Sequence, residues 1–337
     1  MNRTAFAFVL AGAALALAAP ARAQSVEDFY RGKTINILVG FSGGGGYDQY
    51  ARLLGRHIGR HIPGNPAVTV QNMPGAGSLK ATQNVYAVAP KDGLTLATIS
   101  RGMLTEPLLS GANFDAAKLT WLGSITSETS VCATWKTSQV KTWDDMFVRE
   151  FSLGGNALGD DTASFALIMR NVFGAKVKLV TGYPGGNDID LAMERQEVQG
   201  RCGWSWSSVK ATHPSWLPEK KFNTLFQMGL SKHPELPHTP LIMDLAKTDE
   251  DRAIFKLIFG RQVMAWPFLV PPGVPQDRVE ALRTAFTATM HDKDFLADAA
   301  KAKFEIRSVT GVAIQELVQD IYTTPPAVVR KTVDLLQ

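Results

Sequence analysis

Residues 35–54 read INILVGFSGGGGYDQYARLL: an apolar run, four consecutive glycines and then a helical pattern. The apolar run predicts a buried strand, and the segment that starts at Tyr47 predicts a helix. Glycines at this junction permit positive φ and let a ligand approach the main chain closely. The helix directs its free N–H groups and its positive dipole end into the loop. The stretch therefore predicts a strand–loop–helix unit with an anion site in its loop.

The glycine loop does not fit the two common nucleotide-binding motifs. A P-loop ends in Gly-Lys-Ser/Thr, whereas this run ends in Gly46-Tyr47-Asp48 and has no lysine for the phosphates. The pattern G-x-G-x-x-G also fails, because Asp48 stands three positions after Gly45. These departures argue against a nucleotide site. A glycine-rich turn without any ligand is the alternative interpretation.

Short apolar runs and helical patterns alternate along the rest of the chain, which predicts repeated βαβ units and an α/β fold. The chain exceeds the usual size of a single core, and the alternation restarts near residue 128. We therefore expect two lobes, each a mostly parallel sheet covered by helices, joined by a hinge of two crossovers. The expected first lobe is discontinuous, 24–127 with 263–337, and the second lobe is 128–262. The last seventy residues read as mostly helical and are expected to pack onto the first lobe.

The N-terminus has the features of a secretory signal peptide. Arg3 precedes an apolar run, and Ala21-Arg22-Ala23 forms a cleavage signal, so we expect cleavage after Ala23 and an exported, periplasmic protein. The run is shorter than the ~20 residues of a membrane helix. Because two arginines and no acid leave with residues 1–23, the formal charge falls from +4 to +2. With no basic block in the sequence, nucleic-acid binding is not expected.

The chain has two cysteines, Cys132 in SVCATW and Cys202 in GRCGWSW, each within a strand-like run. Export to an oxidising compartment permits a disulfide between them. We favour that pairing, with two buried free thiols as the alternative, because spacing alone does not establish the geometry.

Three further loops of small residues follow predicted strands. They are QNMPGAGSLKA, GGNALGDDTASF and TGYPGGND. Ligands bind at the carboxyl ends of parallel strands, so these loops and the first glycine loop are expected to face one cleft. Its donors would be backbone N–H groups and the hydroxyls of residues such as Thr162 and Ser164. Such a cleft suits a small carboxylate, which would be held by directed hydrogen bonds and helix dipoles and not by an ion pair with a fixed cation.

Enzymatic and metal-binding interpretations find less support. The sequence around Ser205, GWSWS, resembles the nucleophile elbow G-x-S-x-G but lacks its last glycine and a well-placed histidine base. Trp204 is interpreted as packing the lobe or stacking on a ligand. Asp160 and Asp161 could form a catalytic acid pair, but their position before a helix favours capping. His57 and His61 have metal-ligand spacing on a helix, with a solvated face as the alternative. We predict no catalytic residue, no cofactor and no metal.

Several motifs carry a resemblance to a known family. Residues 41–48 with 51–54 are similar to F-P-P-G-G-x-x-D followed by A-R-L-L, and residues 71–77 are similar to E-N-x-P-G-A-G. Residues 89–96 match A-P-x-D-G-x-T-L, and residues 161–165 and 181–186 are similar to G-T-x-S-H and V-P-Y-K-G-G. In this order and spacing, the motifs resemble the extracytoplasmic solute-binding proteins of the tripartite tricarboxylate transporter system, also called Bug receptors.

The resemblance implies a two-lobed periplasmic-binding-protein (flytrap) fold that closes on a di- or tricarboxylate or an aromatic carboxylate and performs no catalysis. It also implies a monomer that delivers this cargo to transporter membrane subunits. The predicted ligand-binding residues are Phe41, Ser42, Gly43, Gly44, Gly45, Tyr47, Asp48, Ala76, Gly77, Ser78, Asn156, Gly159, Thr162, Ser164, Gly185, Gly186 and Trp204.

The chain departs from the family pattern at two places. Ser42-Gly43 replaces a pair of prolines, which makes the loop more flexible or adds a hydroxyl donor, and Phe165 replaces a histidine, which suggests a more apolar cleft. The role of Asp48 stays open between bracing the loop, binding water and contacting a cationic part of the cargo. Two other functions stay open as well, an exported hydrolase that uses Ser205 or the Asp160/Asp161 pair, and a receptor domain for a membrane sensor.

Overall fold

The computed structural model describes residues 24–337, and the predicted signal peptide lies outside the described residues. The strands of the described residues are β1 (Thr34–Val39), β2 (Ala67–Asn72), β3 (Thr95–Thr98), β4 (Thr120–Ser124), β5 (Ser130–Trp135), β6 (Phe151–Gly154), β7 (Val177–Val180), β8 (Gly200–Ser205), β9 (Phe222–Met228), β10 (Pro267–Val270) and β11 (Val309–Thr310). The α-helices are α1 (Val26–Tyr30), α2 (Gly46–His57), α3 (Leu79–Gln83), α4 (Glu106–Leu109), α5 (Asp145–Val148), α6 (Asp161–Phe173), α7 (Gly186–Glu194), α8 (Trp206–Thr212), α9 (Asp249–Phe259), α10 (Gln276–Met290), α11 (Lys293–Lys301), α12 (Gly311–Tyr322) and α13 (Pro326–Leu335).

The strands form two separate sheets, one for each lobe. The first sheet has the order β11-β4-β10-β3-β1-β2, and the second has the order β7-β6-β8-β5-β9. In the first sheet β1 is parallel to β2 and β3, while β10 is antiparallel to its neighbours β3 and β4. In the second sheet β6 is parallel to β7 and β8, while β5 is antiparallel to β8 and β9. Most strands of each sheet therefore point the same way, and the predicted two-lobed α/β fold is confirmed.

Each sheet is completed by a strand that follows a crossover between the lobes. β5 follows the first crossover and β10 follows the second. The two crossovers run side by side, since Ile125 N–H donates to Trp266 O (3.2 Å) and Ala265 N–H donates to Thr126 O (3.0 Å). We call residues 125–130 and 262–267 the hinge. Because the two crossovers are hydrogen-bonded to each other, they form one ribbon about which the lobes can rotate. The proposed lobe limits of 127/128 and 262/263 fall within this ribbon and stay predictions.

Each lobe has its own apolar core. In the first lobe, Ile35 and Ile37 of β1 pack against Leu53 and Leu54 of α2. The second core contains Leu153, Phe165, Ile168, Phe226 and Phe255. Phe165 lies 4.8 Å from the ring of Phe259 and is fully buried, so it does not make the cleft more apolar as the sequence suggested.

The predicted disulfide is confirmed, because Cys132 of β5 and Cys202 of β8 are bonded on neighbouring strands. The sequence analysis missed β4, β9 and the two-residue strand β11. α12 packs on β4 in the first lobe, as expected, and α13 packs on α4 of the first lobe and also on α9 and α6 of the second lobe. No helix in residues 24–337 has both the length and the apolar character needed to cross a membrane.

Candidate ligand-binding cleft

A cavity lies between the two lobes, where the loops after β1, β3, β6, β7 and β8 meet. Its wall is formed by the following residues: Phe41, Gly45, Gly46, Tyr47, Arg101, Asn156, Asp160, Asp161, Thr162, Gly186, Asn187, Asp190, Arg201, Gly203, Trp204, Ser205, Ser208, Thr212 and Trp266.

Two helix N-termini meet at this cavity, one from each lobe. α2 begins after Gly45 and α7 begins after Gly185, and neither of these N-cap glycines has a side chain to bond the first-turn N–H groups. A Cβ placed on Gly45 would lie 3.8 Å from Asn187 N and 3.9 Å from Gly186 N, so the two termini are in close contact. Both ends carry a partial positive charge. An anion in the cavity would stabilise both.

One wall of the cavity is aromatic. The rings of Phe41 and Tyr47 stack at 4.6 Å, and Trp266 meets Tyr47 edge-on at 4.7 Å. The Tyr47 hydroxyl accepts a hydrogen bond from the backbone N–H of Arg101 (3.0 Å), and burial raises the pKa of Tyr47, so its phenol stays neutral. Trp204 contributes a further ring from the second lobe. These rings favour a ligand with an apolar portion beside its polar group.

Two arginines line the cavity, which the sequence analysis did not expect. Arg101 follows β3 and is buried; its Nε donates to Asp161, and its Nη2 donates to Ser130 Oγ (2.9 Å) and Ser205 Oγ (3.1 Å). Its Nη1 is buried without a partner among the described residues. The idea of a cleft without a fixed cation was therefore wrong.

Arg201 is the second cation of the cavity and has its own carboxylate. Its Nη1 donates to Asp190 Oδ1 (2.7 Å) and to Gly186 O (2.8 Å), and its guanidinium lies 5.2 Å from the ring centre of Trp204. Asp190 Oδ2 also contacts His213 Nε2 at 2.8 Å. Arg201 thus holds the start of α7 against β8.

Asp160 and Asp161 both have structural partners at the start of α6. Asp160 Oδ1 accepts from Thr162 N (3.0 Å) and caps the helix, as predicted, and Asp160 Oδ2 accepts from Ser100 Oγ (3.0 Å). Burial, with the neighbouring Asp161, raises the pKa of Asp160. Asp161 pairs with arginines on both sides. This geometry favours capping and charge pairing over a catalytic acid pair.

Asp48 lies outside the cavity wall and braces the glycine loop. Its carboxylate accepts hydrogen bonds from Gly44 N, Asn72 Nδ2 and Arg52 Nε, each at 2.9 Å. Burial raises the pKa of Asp48, but these donors, Arg52 foremost, outweigh it and hold the pKa below its ordinary value. The ionised carboxylate therefore fixes the loop that carries Gly44, whose φ of +88° favours glycine.

The predicted ligand-binding residues divide between the cavity and its supports. Those in the cavity wall are Phe41, Gly45, Tyr47, Asn156, Thr162, Gly186 and Trp204. Of the others, Ser42, Gly44 and Gly185 lie at the seam between the lobes, where Ser42 Oγ contacts Asp188 Oδ2 at 2.6 Å.

The remaining predicted residues stand behind the wall. Gly77 faces Ala157 across the seam, and Ser78 Oγ accepts a hydrogen bond from Ser100 N (3.0 Å). Ala76 belongs to the same loop as Gly77, and Gly43 belongs to the first glycine loop, next to Gly44. Gly159 and Ser164 lie in a different pocket, with Glu106 and Arg261. As ligand contacts, all of these residues stay predictions.

The sequence analysis missed several cavity residues, namely Arg101, Asn187, Asp190, Arg201, Ser208, Thr212 and Trp266. A signal existed for Arg101, since it directly follows the predicted strand LTLATIS, at the carboxyl end where ligands bind. Trp266 and Thr212 come from distant segments and had no such signal.

Two histidine groups have metal-like spacing, but both are occupied by ion pairs. His57 and His61 contact Asp298 (2.9 Å) and Asp292 (2.7 Å) on or next to α11. In residues 24–337, His233, Glu235 and Glu305 also stand close enough to hold a cation. The ammonium of Lys210 contacts both of those carboxylates and takes the place of a cation between them. We assign no metal to either group.

Comparison with solved structures shows the fold class of the protein. The solved structure of the periplasmic binding protein BugD superposes with a TM-score of 0.72 at 18% identity, covering 91% of this chain and 97% of that one. R. palustris Rpa4515, solved with adipate, gives a TM-score of 0.70 at 20% identity, covering 90% of this chain and 97% of that one. The chain therefore has the two-lobed periplasmic-binding-protein fold.

Sequence comparison adds a relative that matches most of the chain. A Cupriavidus necator protein described as the UPF0065 protein in the gbd 5′ region is 25% identical over 300 residues, 88% of this chain and 86% of that protein. No protein-family model matches the chain. Together with the BugD fold, this match confirms the resemblance to Bug-type solute-binding proteins that the motifs indicate.

Proposed function

We propose that the protein is a periplasmic solute-binding protein that captures a small carboxylate between its lobes and delivers it to the membrane subunits of a tripartite tricarboxylate-type transporter. The observation that carries the proposal is the meeting of two glycine-capped helix N-termini, those of α2 and α7, at one cavity. Two positive helix ends in contact are stabilised by a negative group that shares their free N–H donors.

The remainder of the cavity supports a carboxylate with an apolar body. Phe41, Tyr47, Trp204 and Trp266 offer ring surfaces around the polar end of the site. The adipate bound by the R. palustris neighbour has this character, two carboxylates on an aliphatic chain. A di- or tricarboxylate or an aromatic carboxylate fits the same description.

The seam between the lobes supports capture by closure. Ser42 of the first lobe contacts Asn187 (3.0 Å) and Asp188 (2.6 Å) of the second lobe, beside the two helix ends. A ligand that touches both lobes binds the closed arrangement better than the open one and so shifts the hinge toward closure. The closed seam is what the transporter subunits would recognise.

The geometry favours a receptor over the alternative of a hydrolase. Ser205 Oγ accepts a hydrogen bond from Arg101 Nη2, and a guanidinium cannot act as a general base for that hydroxyl. His213, at the end of α8, directs Nε2 to Asp190 and not to Ser205.

A thermal-shift and calorimetric screen of the mature chain tests the proposal. The panel contains acetate, adipate, citrate, benzoate and terephthalate, with adipamide, putrescine and glucose as uncharged, cationic and sugar controls. At about 100 times its dissociation constant, a bound acid should add about 2.7 kcal/mol of stability. A panel in which putrescine or glucose stabilises the protein and no acid does would show that the cavity is not a carboxylate site. Uptake of the labelled acid by cells with and without the protein tests delivery.

A further inference from the structure

Arg101 is a buried cation whose hydrogen-bonding capacity is only partly used. An arginine has five N–H donors and keeps its charge in proteins. Here Nε donates to Asp161, and the two Nη2 protons are directed to Ser130 Oγ (2.9 Å) and Ser205 Oγ (3.1 Å). Nη1 is buried and has no partner within residues 24–337, on a side chain that lines the cavity. A pair of charged donors is therefore held in place without an acceptor.

The charges around Arg101 do not balance in direct contacts. Arg101 is 3% exposed and Arg261 is 0% exposed, and both pair with the single carboxylate of Asp161, Arg261 at 2.7 Å. The neighbouring Asp160 is held by hydroxyl and amide donors instead, and burial raises its pKa. Glu128 acts on Arg101 and Glu106 acts on Arg261 at longer range, but burial raises the pKa of both glutamates. In direct contacts, Arg101 therefore has only a shared carboxylate and can be stabilised by a further anion.

Arg201 provides an internal contrast in the same cavity. It is paired with the carboxylate of Asp190, which has no second arginine among its contacts in the described chain. Arg201 Nε is buried without a hydrogen-bond partner among the described residues, as Arg101 Nη1 is. The charge of Arg201 nevertheless has a carboxylate of its own, whereas Arg101 shares Asp161 with Arg261. The uncompensated charge lies on the Arg101 side.

We propose that Arg101 Nη1 anchors an ionised carboxylate oxygen of the ligand, so that the site selects the charged acid over its neutral amide. This inference rests on the proposed function. It adds a fixed cation to the two helix N-termini as a donor for the carboxylate, and this cation was not expected from the sequence. Trp266 lines the same cavity, and its Nε1 is also buried without a partner in the described residues.

The test compares each acid with its own amide in four versions of the mature chain: wild type, Arg101→Gln, Arg101→Lys and Arg261→Gln. The probes are adipate against adipamide and, as the smallest fragments, acetate against acetamide, at equal ionic strength. Arg261→Gln is the matched control, because it removes the other partner of Asp161 without touching the cavity wall. Arg101→Lys keeps a charge beside Asp161 and covers the case in which Arg101→Gln does not fold.

The wild type should prefer acid to amide by about 100-fold, and Arg101→Gln should lower that preference to below about tenfold, as expected for a lost charged hydrogen bond. Arg101→Lys should weaken acid binding by about tenfold, because lysine lacks the second nitrogen of the fork. Arg261→Gln should lower the preference by clearly less than Arg101→Gln does, because it removes one charge of the cluster but leaves the Nη1 donors of Arg101 in place. A merely structural role for Arg101 would weaken acid and amide alike.

Failure of this inference differs from failure of the proposed function. If acids bind but the preference survives Arg101→Gln, or Arg101→Lys binds like wild type, the anchor is wrong while the receptor stands. If acetate stabilises the wild type through Arg101 but no larger acid of the panel binds, the anchor is right and the proposed cargo class is wrong. If neither acetate nor any other acid acts on the wild type, both ideas are overturned.

Discussion

The two walls of the cleft are held in place in different ways. Apart from Arg101 and Trp266, the first-lobe wall is the segment 41–47. This segment is fixed by contacts from its own strand–loop–helix unit and the adjacent β2, with Asp48 bonded to Gly44, Arg52 and Asn72. The second-lobe wall combines residues 156–162, 186–190 and 201–205, which come from three separate segments. These segments are fixed by long-range links.

The long-range links of the second lobe are a disulfide and buried ion pairs. Cys132–Cys202 ties β5 to β8, Arg201 pairs with Asp190, and Asp161 accepts Arg101 from the other lobe. Main-chain donors can thus be positioned by one short stretch of sequence, whereas charged side chains in a cleft need partners from elsewhere in the chain. If this contrast is correct, the lobes should respond differently to removal of their braces.

The largest effect is expected from removing the disulfide in a Cys132→Ala/Cys202→Ala double variant. Cys132 and Cys202 are separated by 70 positions in sequence, and cross-links closing loops of this size contribute about 4 kcal/mol. We expect urea unfolding of the mature protein to show a loss of about 3–4 kcal/mol. Wild-type protein treated with reductant is the control and should lose a similar amount. A loss below about 1 kcal/mol would mean that the ion pairs alone hold the second wall.

The next largest effect is expected from Asp48→Ala in the first wall. The change leaves the Gly44 N–H, the Asn72 amide and Arg52 without their buried acceptor, which should cost about 2–3 kcal/mol in the free energy of unfolding. Urea titration measures it.

Arg52→Gln is the matched control for Asp48→Ala. Arg52 is half exposed and is one of three donors, so its loss should cost less than about 1 kcal/mol. Equal losses for the two variants would show that Asp48 acts through the ion pair and not as a brace for the loop.

The same contrast explains how far the sequence could predict the molecule. The strand–loop–helix units and the two lobes follow from local patterns, because a strand needs an apolar run and a helix needs its own periodicity. Thus β1, α2 and β5 lie where the patterns place them. The disulfide was favoured but left open against two free thiols, because the pairing of β5 with β8 is not visible in the sequence. β4 and β9 were missed, since TWLGS and FNTLFQM mix polar with apolar residues and form neither a continuous apolar run nor a regular alternation.

The parts of the cleft wall that are formed by main-chain groups could be predicted from the sequence. Gly45, Tyr47 and Gly186 belong to loops whose glycines indicate a close approach to the main chain, and they line the cavity. Arg101 was not predicted, because its position in the cavity depends on the ion pair with Asp161, which lies sixty residues away and also binds Arg261. A single sequence does not show which of its many arginines will share one buried carboxylate.

A smaller effect, on ligand affinity, is expected from substitutions at two neighbouring glycines of the first wall, and its size should differ between them. A Cβ on Gly46 would lie 2.5 Å from the Trp266 ring and 2.8 Å from Ser208 Oγ, whereas a Cβ on Gly45 meets its nearest atom, Asn187 Oδ1, at 3.4 Å. Gly46→Ala should therefore weaken binding of the best acid in the panel by at least about tenfold, or about 1.4 kcal/mol. Gly45→Ala should change it by less than about threefold. Calorimetry that ranks Gly45→Ala as the more damaging change would place the ligand nearer to α7 than the structure suggests.

The smallest effect concerns a contact between the lobes outside the cleft. Lys210 on α8 of the second lobe contacts Glu305, which lies between α11 and β11 of the first lobe. His233, whose Nε2 stands 3.9 Å away, and Lys210 lower the pKa of Glu305 to about 2. Arg307 lies at 3.7 Å from the same carboxylate, and the buried Glu128 stands nearby with a pKa raised by burial. Of these groups, Lys210 makes the direct hydrogen bond, so most of the stabilisation should depend on it.

The sign of the pH dependence follows from a lowered folded-state pKa. The carboxylate of Glu305 contributes stability at pH values above its ordinary value near 4.5, and that contribution is lost as the pH falls from 4.5 toward about 2. Because the group is partly solvated, screening limits the contribution to at most about 1 kcal/mol. Glu305→Gln should lose that amount at pH 7 and flatten the urea-stability profile between pH 4.5 and 2. Glu219→Gln, which breaks an exposed pair with Lys221 inside the second lobe, is the control. Lys221 lowers the pKa of Glu219, but this pair is screened by solvent, so its loss should change the profile much less than Glu305→Gln does. If Glu305→Gln changes the profile no more than Glu219→Gln, the Lys210 contact does not join the lobes in solution, and closure depends on the cleft walls alone.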